Sequence, residues 1–378
     1  MATEEQKEKP VLKITASTPL ILSASSITKP STIFIMSSFH TGYFRISLSL
    51  CSQSLLWKTL SSPSTDPHAL RPLLTALHSF TFFLLWSLSL LSLLLLSILF
   101  LIRCLLRSHS LRAELSHPIG MNYLFAPFTS SLLLLQSTPF LPPNSTAYRI
   151  ICSLLSLPIL FLDVKIYGRW LTHGKNFLSL AANPTSHVSV IGNFVGARAA
   201  AQMGWKEAAA CLFALGIAHY LVLFVTLYQR VGSGNALPAM LRPAFFLFFA
   251  APSMASLAWD SISGDFDVSC KMLFFLSLFL FASLVSRPTL FKKSMRKFNV
   301  AWWAYSFPLT VLALAATEYA QEVKFWQSNA LMLVLSVISI GVTIVLLLFT
   351  AIRPSDLLPY DDPFLPPSTP SPPTEMPV

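Results

Sequence analysis

The chain has 378 residues, of which 54% are hydrophobic and only 11% charged. A soluble domain carries about 25% charged residues, so this composition excludes a water-soluble globule and, with it, a soluble enzyme. The net charge of +10 does not point to nucleic acid, because the basic residues stand at the ends of apolar runs and not on one solvated face.

Residues 1–37 open with a mixed-sign charged stretch, and Lys13 and Lys29 flank a weakly apolar run rich in Ser and Thr. This lacks the basic start and small-residue cleavage site of a secretory signal, and a cytosolic tail is expected. Ten helices are then predicted, over 38–58, 75–103, 118–138, 148–166, 184–203, 205–229, 240–259, 271–288, 299–318 and 328–352. About 20 apolar residues cross the hydrocarbon core, which makes 38–352 an all-α integral membrane domain. Residues 353–378 follow it, with nine prolines between Pro354 and Val378, and are expected to be an extended, disordered cytosolic tail.

With the N-terminus inside, eighteen Lys and Arg fall in inside segments, among them Arg103, Arg107, Arg112, Lys165, Arg169 and the five between Arg287 and Lys297. Only Lys58, Arg71, Arg149, Lys206, Lys271 and Lys324 fall outside. That bias places both termini in the cytosol. Asn144 heads a glycosylation sequon on a predicted outside loop.

Pro127, Pro184, Pro252 and Pro308 recur in or at the start of helices 3, 5, 7 and 9, at spacings close to the length of one helical hairpin. A proline frees a backbone carbonyl that lipid cannot satisfy. The reading is five helical hairpins whose kinked odd-numbered helices lie inside, around a central pore, with the straight, Leu-rich even helices outside.

No HExxH, GxSxG, P-loop or GxGxxG motif is present, so no catalytic residue, metal or cofactor is expected. The five cysteines form no CxxC pair. His219 reads as a packing or hydrogen-bonding residue and His187 as a cap at the start of helix 5. Arg45 and Arg198 stand out because a charge within the membrane is costly and faces a cavity or a partner. Asp163 and Glu318 are placed near helix ends, leaving the interior almost without acids, so a path among the odd helices would favour anions. Ser49 and Thr129 could line that path with hydroxyl donors. Gly192 and Gly196 could line it too, or serve close helix packing. No span repeats Arg or Lys every third residue, so weak voltage dependence is expected.

Several stretches resemble the plant slow-type (S-type) anion channels of the tellurite-resistance/dicarboxylate-transporter superfamily. They are Phe44–Lys58, Ala182–Phe194, His219–Arg230, Ala250–Trp259 and Phe298–Pro308. The resemblance runs in order over residues 35 to 350 and fits the branch with a short N-terminal tail. It implies ten helices in five hairpins around a pore in each subunit of a trimer, and slow chloride or nitrate efflux at the plasma membrane. It also implies a gate, a phenylalanine just before the proline of the ninth helix, which is Phe307 here. The expected partners are inorganic anions and further subunits, as a homotrimer or as a heterotrimer with a longer S-type subunit. Two other readings stay open: a non-conducting modulatory subunit, and a proton-coupled anion or dicarboxylate carrier.

Overall fold

The computed structural model describes residues 39–61, 78–106, 111–112, 114–115, 118–172, 182–232 and 239–357. The two tails proposed above lie almost entirely outside these residues. The described chain is helical with no strand. Its long helices are α1 (Phe44–Ser61), α2 (His78–Leu106), α3 (Phe125–Ser137), α4 (Thr146–Thr172), α5 (His187–Gln202), α6 (Lys206–Gly232), α7 (Leu247–Ser263), α8 (Val268–Val285), α9 (Trp303–Val323) and α10 (Trp326–Ile352). A short helix, Pro118–Tyr123, leads into α3.

Seven of these, α2, α4 and α6 to α10, are long and apolar enough to cross a membrane. The remaining three are shorter or more polar. Helices α3 and α5 have 13 and 16 residues, and α1 mixes five serines with Arg45 and Gln53. Such segments do not suit lipid, and their environment explains them. Helix α1 packs between α3 and α9, α3 against α5, α5 against α7, and α7 against α9, which closes a ring of five. The even helices pack outside it, each in the groove between consecutive odd helices. The consequence shows in burial. Of the best spanning window, 94% is buried in α9 and 17% in α8. Leu91, Phe161, Val225, Phe279 and Val337 of the outer helices face outward.

The inner helices run parallel. Ser47 of α1 bonds Ser130 of α3, and two turns further along both helices Ser54 bonds Ser137. Ser49 donates to the Trp303 carbonyl, and Gln53, one turn on, to Thr310. Parallel neighbours require a return helix, which is what the even helices are. The turns from odd to even helix are tight: Met203–Trp205 after α5, Gly264–Asp267 after α7 and Lys324–Phe325 after α9. Gly204 and Gly264 hold positive φ in two of them, where any other residue except Asn or Asp is strained.

The starts of α1, α5 and α9 share a device that the sequence reading missed. Each is a three-residue 3₁₀ turn whose preceding side chain accepts the backbone N–H two residues on: His40 from Gly42, Asn183 from Thr185, Asn299 from Ala301. Pro184 occupies the first position of its turn, where no backbone N–H is needed. Pro127 lies in the first turn of α3, and Pro252 and Pro308 lie inside α7 and α9. Pro158, inside outer helix α4, shows that proline is not confined to the ring.

Two expectations need correction. Helix α4 runs six residues past its predicted end, so Asp163 is well inside it and buried. The basic residues Lys165 and Arg169, read as the helix boundary, are instead its last turns. The cap ahead of α5 is Asn183; His187 Nδ1 donates to the Pro184 carbonyl at 3.2 Å.

Candidate functional site

Parallel inner helices give the ring two unlike ends. At one end lie five helix N-termini, whose free N–H groups and dipoles favour negative charge. Arg45, the second residue of α1, is buried here. Its guanidinium lies over the Tyr123 ring, 4.5 Å from the centroid, a cation–π contact that strengthens when water is excluded. A Cβ at Gly42 would come within 3.0 Å of Arg45 Nη2 and 2.6 Å of the His40 ring. The glycine is what lets the histidine cap and the guanidinium share this corner.

At the other end the helix C-termini present carbonyls, which favour cations. Lys58 Nζ, on the last turn of α1, donates to the Gln136 and Thr138 carbonyls at the end of α3. Arg198 Nη1, near the end of α5, donates to Gln136 Oε1 at 3.0 Å, and Gln136 Nε2 donates to the Val195 carbonyl. Asp260 and Glu318, near the ends of α7 and α9, feel the Arg198 charge. Arg198 therefore has two acidic residues within reach of its charge, while its hydrogen bond goes to an amide. The two arginines thus lie at opposite ends of the ring. Tyr123, Gln136 and Asp260 were not singled out from sequence, although Gln136 and Asp260 fall on the last turns of inner helices and Tyr123 ends the short helix ahead of α3.

The small and hydroxylated residues expected on the pore wall make close contacts within and between helices. Ser49 commits its hydrogen to the Trp303 carbonyl at 3.1 Å, in the seam between α1 and α9. Thr129 donates to the Phe125 carbonyl at 2.9 Å. A Cβ on Gly192 would meet Thr129 Oγ1 at 3.0 Å, and one on Gly196 would meet Leu212 of α6 at 3.3 Å. These four residues serve the seams, because a missing or short side chain lets helix backbones approach closely. Of the alternatives open for the glycines, the structure favours packing.

Phe307 is buried, one turn into α9. Its neighbours on the helix have defined partners. Ser306 bonds Thr343 of α10, and Tyr305 bonds Ser294 and packs edge-on against Phe246 and Phe291. Thr310, one turn beyond Ser306, belongs to a cluster with Ser339 and Thr343 that Gln53 Nε2 enters from α1. This cluster pins the α9 face next to Phe307 to α1 and α10. Among the described residues no group of three or more His, Cys, Asp or Glu is placed to hold a metal ion, and no disulfide forms.

Residues 38–351 match the SLAC1 family, described as voltage-dependent anion channel. The chain is 54% identical over 324 residues to S-type anion channel SLAH1 of Arabidopsis thaliana, covering 86% of this chain and 84% of the relative. It is 54% identical over 327 residues to S-type anion channel SLAH4 of the same plant, covering 86% and 87%. To the guard cell S-type anion channel SLAC1 of that plant it is 42% identical over 318 residues, covering 83% of this chain and 56% of the relative.

Proposed function

The chain belongs to the SLAC1 family of voltage-dependent anion channels, and from that premise we propose that it is a slow chloride and nitrate efflux channel of the plasma membrane. As a family member it is a multi-pass membrane channel for anions and not an enzyme. The observation that carries the reading is the closed ring of five parallel helices, sheltered from lipid, with a buried arginine at each end. Its N-terminal end draws anions by helix dipoles and Arg45. At the C-terminal end Lys58 and Arg198 offset the carbonyls that would repel an anion.

Phe307 serves as the gate. An aromatic ring across a path sheltered from lipid strips an anion of water and returns no hydrogen bond, which blocks conduction. Pro308 directly after it removes one helix hydrogen bond and makes α9 the place to bend. Phe307→Ala should raise basal anion current severalfold in oocytes. Unchanged current from a variant that reaches the surface would remove Phe307 from the gate.

Voltage dependence is weak on this reading, despite the family's description. One charge crossing the field is worth about 2.3 kcal/mol per 100 mV, and α1 and α5 carry a single arginine each within the ring. Ten crossings with both termini cytosolic follow from the basic-residue bias, with α1, α3 and α5 crossing inside protein where lipid makes no demand on their length or polarity. The subunits assemble as a homotrimer, or as a heterotrimer with a longer S-type subunit. The apolar outer helices supply surface for such neighbours as well as for lipid.

A further inference from the structure

Behind the inner ring, where α4, α5 and α6 meet, six polar side chains converge. Asp163 and Tyr167 come from α4, His187 and Asn193 from α5, and His219 and Tyr220 from α6. All are buried except Tyr167, which is partly so. Both Asp163 carboxyl oxygens, Asn193 Oδ1, His187 Nε2, His219 Nδ1 and both tyrosine hydroxyls have no hydrogen-bond partner in the protein. Buried polar atoms are rarely left so, and here seven lie together.

The tautomers are assigned from the hydrogen bonds that are made. Ser189 gives its hydroxyl hydrogen to the Ser186 carbonyl at 2.7 Å, so His219 Nε2, 3.4 Å from that oxygen, is the donor of their contact. His219 Nδ1 is left as a lone pair, and it faces Asp163 Oδ1 at 3.8 Å. His187 spends its Nδ1 hydrogen on the Pro184 carbonyl, which leaves Nε2 a second lone pair. Asn193 gives one Nδ2 hydrogen to the Ser189 carbonyl and turns the other toward Asp163. The rest of the pair's surroundings are the two histidine lone pairs and the tyrosine hydroxyls. A carboxylate facing an imidazole lone pair in a dry interior is unfavourable unless one of the two carries a proton.

Among the described residues no other charge forms an ion pair with Asp163. On α4, Arg169 is turned to the Leu115 carbonyl and Met121, and Lys165 makes no ion pair with Asp163. On α5, His187 is the nearest ionisable group, acting on His219, while Arg198 is bonded to Gln136. On α6 it is His219 itself, with Tyr220 alongside. Helix α3 has no ionisable residue, and α7 offers the Phe248 ring to His187, with Asp260 at its far end.

We propose that Asp163 and His219 form a proton-binding site, taking up one proton on the carboxyl or on Nδ1 at neutral pH, and that its occupancy sets the position of α5. The proton is exchanged with solvent and passes to no substrate, since the pair lies outside the ring. Losing it sets carboxylate against lone pair at the contact through which α4 and α6 hold α5, the helix that carries Arg198.

The test is an infrared pH titration of the full chain in lipid vesicles. Wild type should give a titrating band from a water-excluded protonated carboxyl or an imidazolium ring. Asp163→Asn, close in shape, should abolish it, and His219→Gln, which keeps an N–H for Ser189, should shift its midpoint. A titration identical in wild type and both variants overturns the site. So does a non-titrating carboxylate band, which would mean that water alone bridges the pair. This arm does not depend on conduction. In oocytes, Asp163→Asn in the Phe307→Ala background should flatten the pH dependence of the current. A titrating band with unaltered pH dependence overturns the link to α5 and leaves the site standing.

Discussion

Gly216 and Phe194 illustrate how single residues hold the outer helices on the ring. A Cβ on Gly216 of α6 would lie 2.6 Å from the Phe194 ring of α5, and Phe194 is fully buried with no room to turn. Gly216→Ala should lower stability by about 1–3 kcal/mol, the usual cost of overpacking, read as a lower unfolding midpoint in detergent. Adding Phe194→Leu should recover part of the loss, because the smaller side chain vacates the clash. A double variant whose loss equals the sum of the single losses would refute the contact. The two intramembrane arginines were visible as residues from sequence alone, since a charge in an apolar run has no bland surface role. Their partners, Tyr123 and Gln136, were not, because an aromatic or an amide in a helix carries no such mark.

At the scale of the element, starts and turns decide the geometry. Asp267 caps α8, accepting the Cys270 N–H at 2.9 Å and the Trp259 indole N–H at 3.0 Å. Burial acts to raise its carboxyl, but these hydrogen bonds prevail and hold it below the usual range. Asp267→Ala should cost about 1 kcal/mol, as for other N-caps. The sign with pH follows from the lowered value: the contribution is fully present above the unfolded value of about 3.9 and is lost as pH falls through the folded one. A pH scan in which wild type and Asp267→Ala converge only in acid would bear this out; a constant difference down to acid pH would refute it. The hairpin period was legible through Pro127, Pro184, Pro252 and Pro308. The matching 3₁₀ starts at His40, Asn183 and Asn299 were hidden, because an Asn or a His two residues ahead of a backbone N–H is too common to read as a cap without the backbone's path.

At the scale of the whole molecule, five parallel helices build a field that no one residue supplies. Dipole ends attract anions at the Arg45 end, and Lys58 and Arg198 correct the opposite end. Arg198→Leu should therefore cut anion current several-fold, by nearly the same factor in low and high salt, since screening shortens the reach of an exposed charge and not of a buried one. Single-channel recordings across ionic strength would test it, and a loss that fades in high salt would mean that Arg198 acts as a solvent-exposed charge.

The amino-acid sequence by itself determined that the chain is a helical membrane protein, which segments are apolar enough to face lipid, and the hairpin period, because burial in hydrocarbon constrains composition over whole segments. It also determined the family, through stretches such as Ala182–Phe194 and Phe298–Pro308. Only the tertiary structure decided the side of each helix on which a residue falls. Ser49, Thr129, Gly192 and Gly196 make close contacts within and between helices, and Asp163, expected near a helix end, lies buried 3.8 Å from His219. The reason is physical: when a helix is surrounded by other helices, no polar and apolar faces distinguish one side from another, and only the neighbours in space determine what a side chain meets.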